Sequence, residues 1–187
     1  MLKRIYSAII FVILTSANTL IYASGDGSGY YAGFMLGPTT TGSNTGSSSN
    51  SKTSFAGRLF FGYETNPNFS YEGGLSAYPQ SVNSAGCTAA NQRKLYFDVL
   101  LKAALPLSGG VGPFTKVGAA TPIYIPGLSS CKSGGTAAQF YPSISLGLTA
   151  DLAENQALEL SWNRLVFGGS IKFIDFYAIG FTYHFST

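Results

Sequence analysis

Charge is what this chain has least of. Only 10% of its 187 residues are Asp, Glu, Lys or Arg, where ordinary soluble domains carry roughly 25%. A soluble globule of this length needs a charged coat, and this chain cannot make one. Long apolar runs are missing too. After residue 23 none approaches the ~20 residues that a membrane-spanning helix requires, which excludes a helical membrane protein. There is a single histidine, His184, and there are 2 cysteines. Hydrolysis or acyl transfer asks for a histidine with serine or carboxylate partners, so we expect no enzyme. Metal centres fail for the same want of ligands. The 23 glycines are scattered, with no phosphate-binding context, so no cofactor is expected. Nor does the small net charge of +3 suit nucleic acid.

What is present begins with an export signal. Lys3 and Arg4 form a basic head, Ile5 to Leu14 an apolar core, and Ile21-Tyr22-Ala23 a cleavage site. Residues 1–23 are therefore expected to be removed as a signal peptide, leaving 24–187 as one domain. Removal takes two of the 11 cations and leaves the mature chain nearly neutral.

The mature chain alternates. In its last stretch every second residue is large and apolar: Tyr177, Ile179, Phe181, Tyr183 and Phe185. Between them lie Ala178, Gly180, Thr182 and His184. A period of two makes a strand with one greasy and one narrow, hydrophilic face. Further strands are read at Tyr30–Leu36, Phe55–Tyr63, Phe69–Tyr78, Leu95–Leu105, Pro113–Ala119, Phe140–Leu152 and Leu158–Trp162, with the last at Phe173–Phe185. Thr39–Ser51, built from Thr, Gly, Ser and Asn, cannot bury apolar area and is read as a solvent loop. Pro79–Gln92 and Thr121–Ala138 are long polar loops as well, while Thr65-Asn66-Pro67, Pro106–Gly112 and Ala153–Asn155 are short turns.

Long and short connections that alternate along eight strands make an up-and-down meander. A soluble barrel would turn the apolar face inward and coat the other with charge. Here the other face is Gly, Ser, Ala and Thr, which suits the narrow interior of eight strands. The fold expected is all-β, an eight-stranded antiparallel up-and-down transmembrane β-barrel. Aromatic girdles should mark the membrane interfaces, at Tyr30, Phe55, Phe61, Tyr63, Phe69, Phe114, Phe140, Trp162, Tyr183 and Phe185.

Phe61-Gly62-Tyr63, Asn66-Pro67, Tyr71-Glu72, Lys102 with Pro106, and Glu159-Leu160-Ser161-Trp162 together resemble the OmpA-like eight-stranded outer-membrane barrels, barrel domain only. The final strand, with Gly180, Phe181, Tyr183 and Phe185, is similar to the family's C-terminal assembly strand, here followed by Ser186 and Thr187. The resemblance implies a bacterial outer-membrane location with long loops extracellular and short turns periplasmic. It implies partners in outer-membrane lipid, lipopolysaccharide and the barrel assembly machinery. It also implies a salt-bridge cluster inside the barrel, with Glu72 and Lys102 on matching positions and Ala157 where the family carries a cation.

Alternation independently points Arg58, Glu72, Asp98, Lys102, Lys116 and Glu159 inward. Glu72 and Lys102, on neighbouring strands, are expected to face each other, and Lys116 and Glu159 to complete a layer of two anions and two cations. Cys87 and Cys131, in adjacent long loops of an exported chain, are disulfide candidates. Lys52, Arg93, Lys94, Lys132, Arg164 and Lys172 form a basic rim in or beside the long loops, suited to lipopolysaccharide phosphates or anionic host-surface glycans. Two functions fit: a surface protein with a structural and loop-mediated role, adhesion included, or a narrow porin-like passive channel for small solutes.

Overall fold

The period-two pattern becomes eight strands in the computed structural model, which describes residues 29–43, 52–80, 92–107, 109–123, 140–167 and 171–185. They are β1 (Gly29–Ser43), β2 (Lys52–Asn66), β3 (Phe69–Gln80), β4 (Gln92–Ala104), β5 (Val111–Ile123), β6 (Tyr141–Ala153), β7 (Gln156–Val166) and β8 (Ile171–His184). Each pairs antiparallel with its sequence neighbour, and β1 closes on β8 through rungs such as Phe34–Phe181 and Leu36–Ile179. Closure leaves no edge strand to template aggregation.

Three connections are tight and gather at one end. In the first, the Asn66 side-chain oxygen accepts from the backbone N–H of Asn68 and Phe69, at 2.9 and 3.0 Å, a local turn device of asparagine. In the second, Gly109 and Gly110 take φ of 108° and 70°, which a side chain would resist. The third is the turn at 154–155. We call this the turn end; the other, from which the longer connections leave, is the loop end.

The faces are sorted as a lipid-embedded barrel requires. Leu59 is 64% exposed, Leu160 60% and Ile179 54%, all outward. In water such a surface would aggregate; in hydrocarbon it is solvated.

Two expectations need correction. Phe114 is not a girdle residue: it is buried inside the barrel, because it shares a strand face with Lys116 two positions on. And Thr39–Ser43 is strand, not loop, as are Pro79, Gln80 and Gln92 at the ends of the second long connection and Thr121–Ile123 at the start of the third. Thr39, Thr40 and Thr41 pair with Ser54, Thr53 and Lys52. A strand that continues past the apolar band needs ladder partners, not greasy side chains.

The interior also departs from the small-residue lining expected. Towards the loop end Tyr78, Tyr96, Leu165, Ile174 and Phe176 are buried together, with Tyr141 and Phe167 packed against them. Their rings meet edge-on, Tyr78 to Tyr96 at 5.6 Å and Tyr78 to Phe176 at 5.9 Å, an arrangement that aromatic quadrupoles favour. The inward glycines and the large side chains are complementary. A methyl group on Gly62 would strike the Tyr31 ring, and one on Gly147 the Phe114 ring.

Candidate functional site: a buried series of ion pairs

Alternation carries Arg58 of β2, Glu72 of β3, Asp98 and Lys102 of β4, Lys116 of β5 and Glu159 of β7 into the lumen. All six are buried, none more than 9% exposed. They form one unbroken series of alternating sign. Asp98 Oδ1 lies 2.6 Å from Arg58 Nη2, and Arg58 Nη1 lies 3.0 Å from Glu72 Oε2. Glu72 Oε1 is 2.8 Å from Lys116 Nζ, which is 2.9 Å from Glu159 Oε2. Glu159 Oε1 then meets Lys102 Nζ at 2.5 Å.

The pairing differs from the one expected in the sequence. Glu72 and Lys102 do not face each other. The β4 residue opposite Glu72 is Leu100, and Lys102 lies opposite Ser70 on β3 and Lys116 on β5. Lys102 instead reaches across the lumen to Glu159, while Glu72 takes Arg58 and Lys116. The layer is also larger than two and two, since Arg58 and Asp98 join it to make three cations and three anions.

Neutral groups complete the bonding. The Tyr31 hydroxyl lies 2.9 Å from Ser70 Oγ and donates to Glu72 Oε1 at 3.1 Å. Ser76 donates to Asp98 Oδ2 at 3.1 Å. Sequence reasoning missed Tyr31, although it shares a face with Met35, itself fully buried. Three rings wrap the cations: Lys102 lies over Phe114 at 4.8 Å and Tyr31 at 5.8 Å, and Lys116 and Arg58 over Phe60 at 5.1 and 5.0 Å. Each adds attraction between a cation and a ring face. Phe60 was hidden in the run Leu59-Phe60-Phe61, though Arg58 and Gly62 on either side share its parity.

Such a cluster is strongly conditional. Moving charges out of water costs several kcal/mol per ion, and only complete pairing offsets it. Here every carboxylate has at least one cation and every cation a carboxylate. Two hydroxyls nearby, Ser145 Oγ and Thr182 Oγ1, are buried without a protein partner. Ser145 is the cross-strand neighbour of Lys116, and Thr182 that of Ala157.

At the turn end His184 sits half-buried, its ring 5.4 Å from that of Tyr31 and its Nε2 3.7 Å from Glu64. On β8 Gly180 is buried against Met35, while Tyr183 and Phe185 are exposed outward with centroids 5.4 Å apart. Phe181 contacts Phe34 across the closing seam at 6.2 Å.

The basic rim is only partly within the described residues. Cys87, Cys131 and Lys132 lie outside them, as do the side chains of Lys52, Arg93, Lys94 and Lys172. Arg164 is described and is not a free cation. Its Nε and Nη2 hold Asp175 Oδ1 and Oδ2 at 2.7 and 2.8 Å. Asp175 had not been singled out in the sequence at all.

Residues 8–185 match the family model of the outer membrane protein beta-barrel domain. The chain belongs to that family. No curated protein sequence matches it. Among solved structures, this barrel is similar to Neisserial surface protein A, with a TM-score of 0.58 at 14% identity, covering 85% of this chain and 99% of that one. It is similar to the N-terminal β-barrel domain of Pseudomonas aeruginosa OprF, at 0.56 and 13%, with 85% and 99% covered. OprG of the same organism gives 0.56 and 14%, with 86% and 98% covered. At such identity the likeness is one of fold: eight antiparallel strands closed into an outer-membrane barrel. What this barrel does has to come from its own lumen and surface.

Proposed function

We propose that this barrel is sealed and non-enzymatic, and that it serves the bacterial surface as a structural scaffold whose long connections make the contacts. The observation that carries the reading is the unbroken Asp98–Arg58–Glu72–Lys116–Glu159–Lys102 series. It spans the lumen of a barrel only wide enough for side chains to fill. Above it the aromatic cluster from Tyr78 to Phe176 occupies the loop end. A hydrated ion would have to break buried pairs and then cross an apolar plug.

In this reading the signal peptide is removed after Ala23, the turn end faces the periplasm and the loop end the outside. The assembly machinery reads β8 through Gly180, Phe181, Tyr183 and Phe185. The cations of the loop end (Lys52, Arg93, Lys94, Lys132 and Lys172) meet lipopolysaccharide phosphates or anionic host glycans. A disulfide between Cys87 and Cys131 would tie two of the loops.

Planar-bilayer recording tests the sealed lumen. Wild-type protein should show negligible conductance. Lys102→Ala, which opens space and strips Glu159 of one partner, should gain some. A steady, large wild-type conductance would defeat the sealed reading and promote the passive channel.

A further inference from the structure

Among the described residues, one ion pair lies on the outside of the barrel. Arg164 and Asp175 are direct cross-strand partners on β7 and β8. Arg164 shares its face with the outward Leu160, and Asp175 with the outward Tyr177 and Ile179. Asp175 is nevertheless only 5% exposed, because the guanidinium covers it. The rung on one side is Trp162 with Tyr177, and on the other Val166 with Phe173. The guanidinium lies 5.0 Å from the Trp162 ring and 4.2 Å from the Phe173 ring.

Its height follows from strand geometry. Asp175 lies eight residues along β8 from the outward Tyr183 of the turn end. At about 3.3 Å per residue and a tilt near 40° it stands about 20 Å above Tyr183, against an apolar band about 25 Å tall. That places the pair near the loop-end edge of the band, within about 5 Å of the headgroup boundary, with Trp162 and Tyr177 one rung deeper.

Below the pair is an apolar groove of about 850 Å³ on the lipid-facing wall. Leu148, Leu160 and Ile179 stand around it with Trp162, Tyr177 and Pro38, and its floor is backbone of the small residues Gly37, Gly147, Ser161 and Ala178. Pro38 brings no N–H to the ladder, and the β1–β8 ladder has no rung at Gly37 or Pro38, between Leu36–Ile179 and Thr39–Phe176. The small residues of the floor lie between bulky outward side chains, and that contrast makes the groove.

The donors of Arg164 decide what belongs there. Guanidinium has five N–H groups in a planar fork. Among the described residues Asp175 takes one from Nε and one from Nη2, which leaves three. Two of those, one on each Nη, project in parallel from the far end of the fork, the geometry that grips two phosphate oxygens at once. Asp175 thus orients the fork and removes its net charge, so what remains is a directional phosphate grip and not a diffuse positive field.

We propose that this place binds lipopolysaccharide, with a lipid A phosphate on the Arg164 fork and acyl chains laid in the groove below. The proposal rests on the orientation given above, in which the loop end faces the outer leaflet. It adds a defined site on the wall to the general basic rim. A single-phosphate phospholipid could offer the same headgroup chemistry. The breadth of the groove, from Leu148 on β6 to Pro38 on β1, favours a lipid with several chains.

The chain carries its own reporter, since Trp162 is its one tryptophan. In vesicles of phosphatidylcholine brominated on the acyl chains, Trp162 fluorescence should be strongly quenched. Replacing a tenth of that lipid by lipopolysaccharide should relieve quenching at least twofold more than replacing it by unbrominated phosphatidylcholine. Arg164→Gln should abolish the excess, and Arg164→Lys, which keeps charge but loses the fork, should remove most of it. Heat-modified gel mobility certifies that each variant is folded. Wild-type protein showing no excess, or Arg164→Gln retaining it, overturns the site. Equal relief by phosphatidylglycerol overturns lipopolysaccharide as the occupant. Loss of the excess only in a Lys52, Arg93, Lys94 and Lys132 quadruple variant returns lipopolysaccharide binding to the rim and sinks the wall site alone. Conductance decides the sealed lumen independently of all these results.

Discussion

Lys102 and Lys116 are cross-strand partners on β4 and β5, two like charges directly opposed, and one carboxylate, Glu159, holds both. Like charges so placed repel. Glu159 is therefore the member of the series whose loss does the most harm. Glu159→Gln should cost about 3–5 kcal/mol or more, since it leaves two buried ammonium groups facing one another. Urea unfolding from lipid vesicles checks this. Adding Lys102→Met to the Glu159→Gln variant should recover part of the loss. A double variant less stable than the single one would mean that the repulsion is not what Glu159 relieves.

A cation on the lipid wall should cost according to depth. Leu59 stands four residues from Tyr63 on the outward face of β2, well inside the apolar band, and Leu59→Arg should cost about 2–4 kcal/mol. Leu101 is cross-strand partner to the aromatic Tyr71, so Leu101→Arg should cost only about 0–1 kcal/mol, as near an interface. Equal urea midpoints for the two variants would argue against this depth assignment.

The glycine cradles make a packing prediction. Gly62→Ala drives a methyl group at the Tyr31 ring and hydroxyl, which are fixed by Ser70 and Glu72. Overpacking of that kind costs about 1–3 kcal/mol. Tyr31→Phe removes one of the obstructing atoms, so its own cost and that of Gly62→Ala should not add. Strict additivity in the four-member cycle would show that the two side chains do not meet.

Orientation can be read on whole cells. An epitope inserted after Ser47, between β1 and β2, should be labelled on intact bacteria. Labelling only after permeabilisation would turn the barrel over and take the lipopolysaccharide site with it.

Most of the fold was legible because one physical signal, the period of two, is local. Tyr177 to Phe185 reads as a lipid-facing strand without knowledge of any other residue, and the inward parity of Lys116 and Glu159 follows in the same way. Partnerships are not local. Lys102 and Glu159 lie 57 positions apart and meet only because closure brings β7 across the lumen from β4. The Glu72–Lys102 contact failed for a related reason. Adjacent strands were known but their stagger was not, and a shift of two residues set Leu100 opposite Glu72. Phe114 was misplaced by composition, because an aromatic near a strand end suggested a girdle while its parity with Lys116 said otherwise. Asp175 escaped notice since a carboxylate sharing a face with Tyr177 and Ile179 looks out of place until Arg164 is seen beside it.

The ion pairs also bear on how the barrel is made. Of the hairpins that carry the series, only β2–β3 is balanced by itself. The β2–β3 hairpin brings Arg58 and Glu72, β4–β5 brings Asp98 with two lysines, and β7 brings Glu159 with no partner on β6 or β8. Until the hairpins converge, Glu159 is a solitary anion that must stay wet. A slip of one residue between strands would turn a strand's charges out into hydrocarbon. The series therefore acts as a proofreading device for closure: the last water can leave the lumen only when five strands stand in correct register.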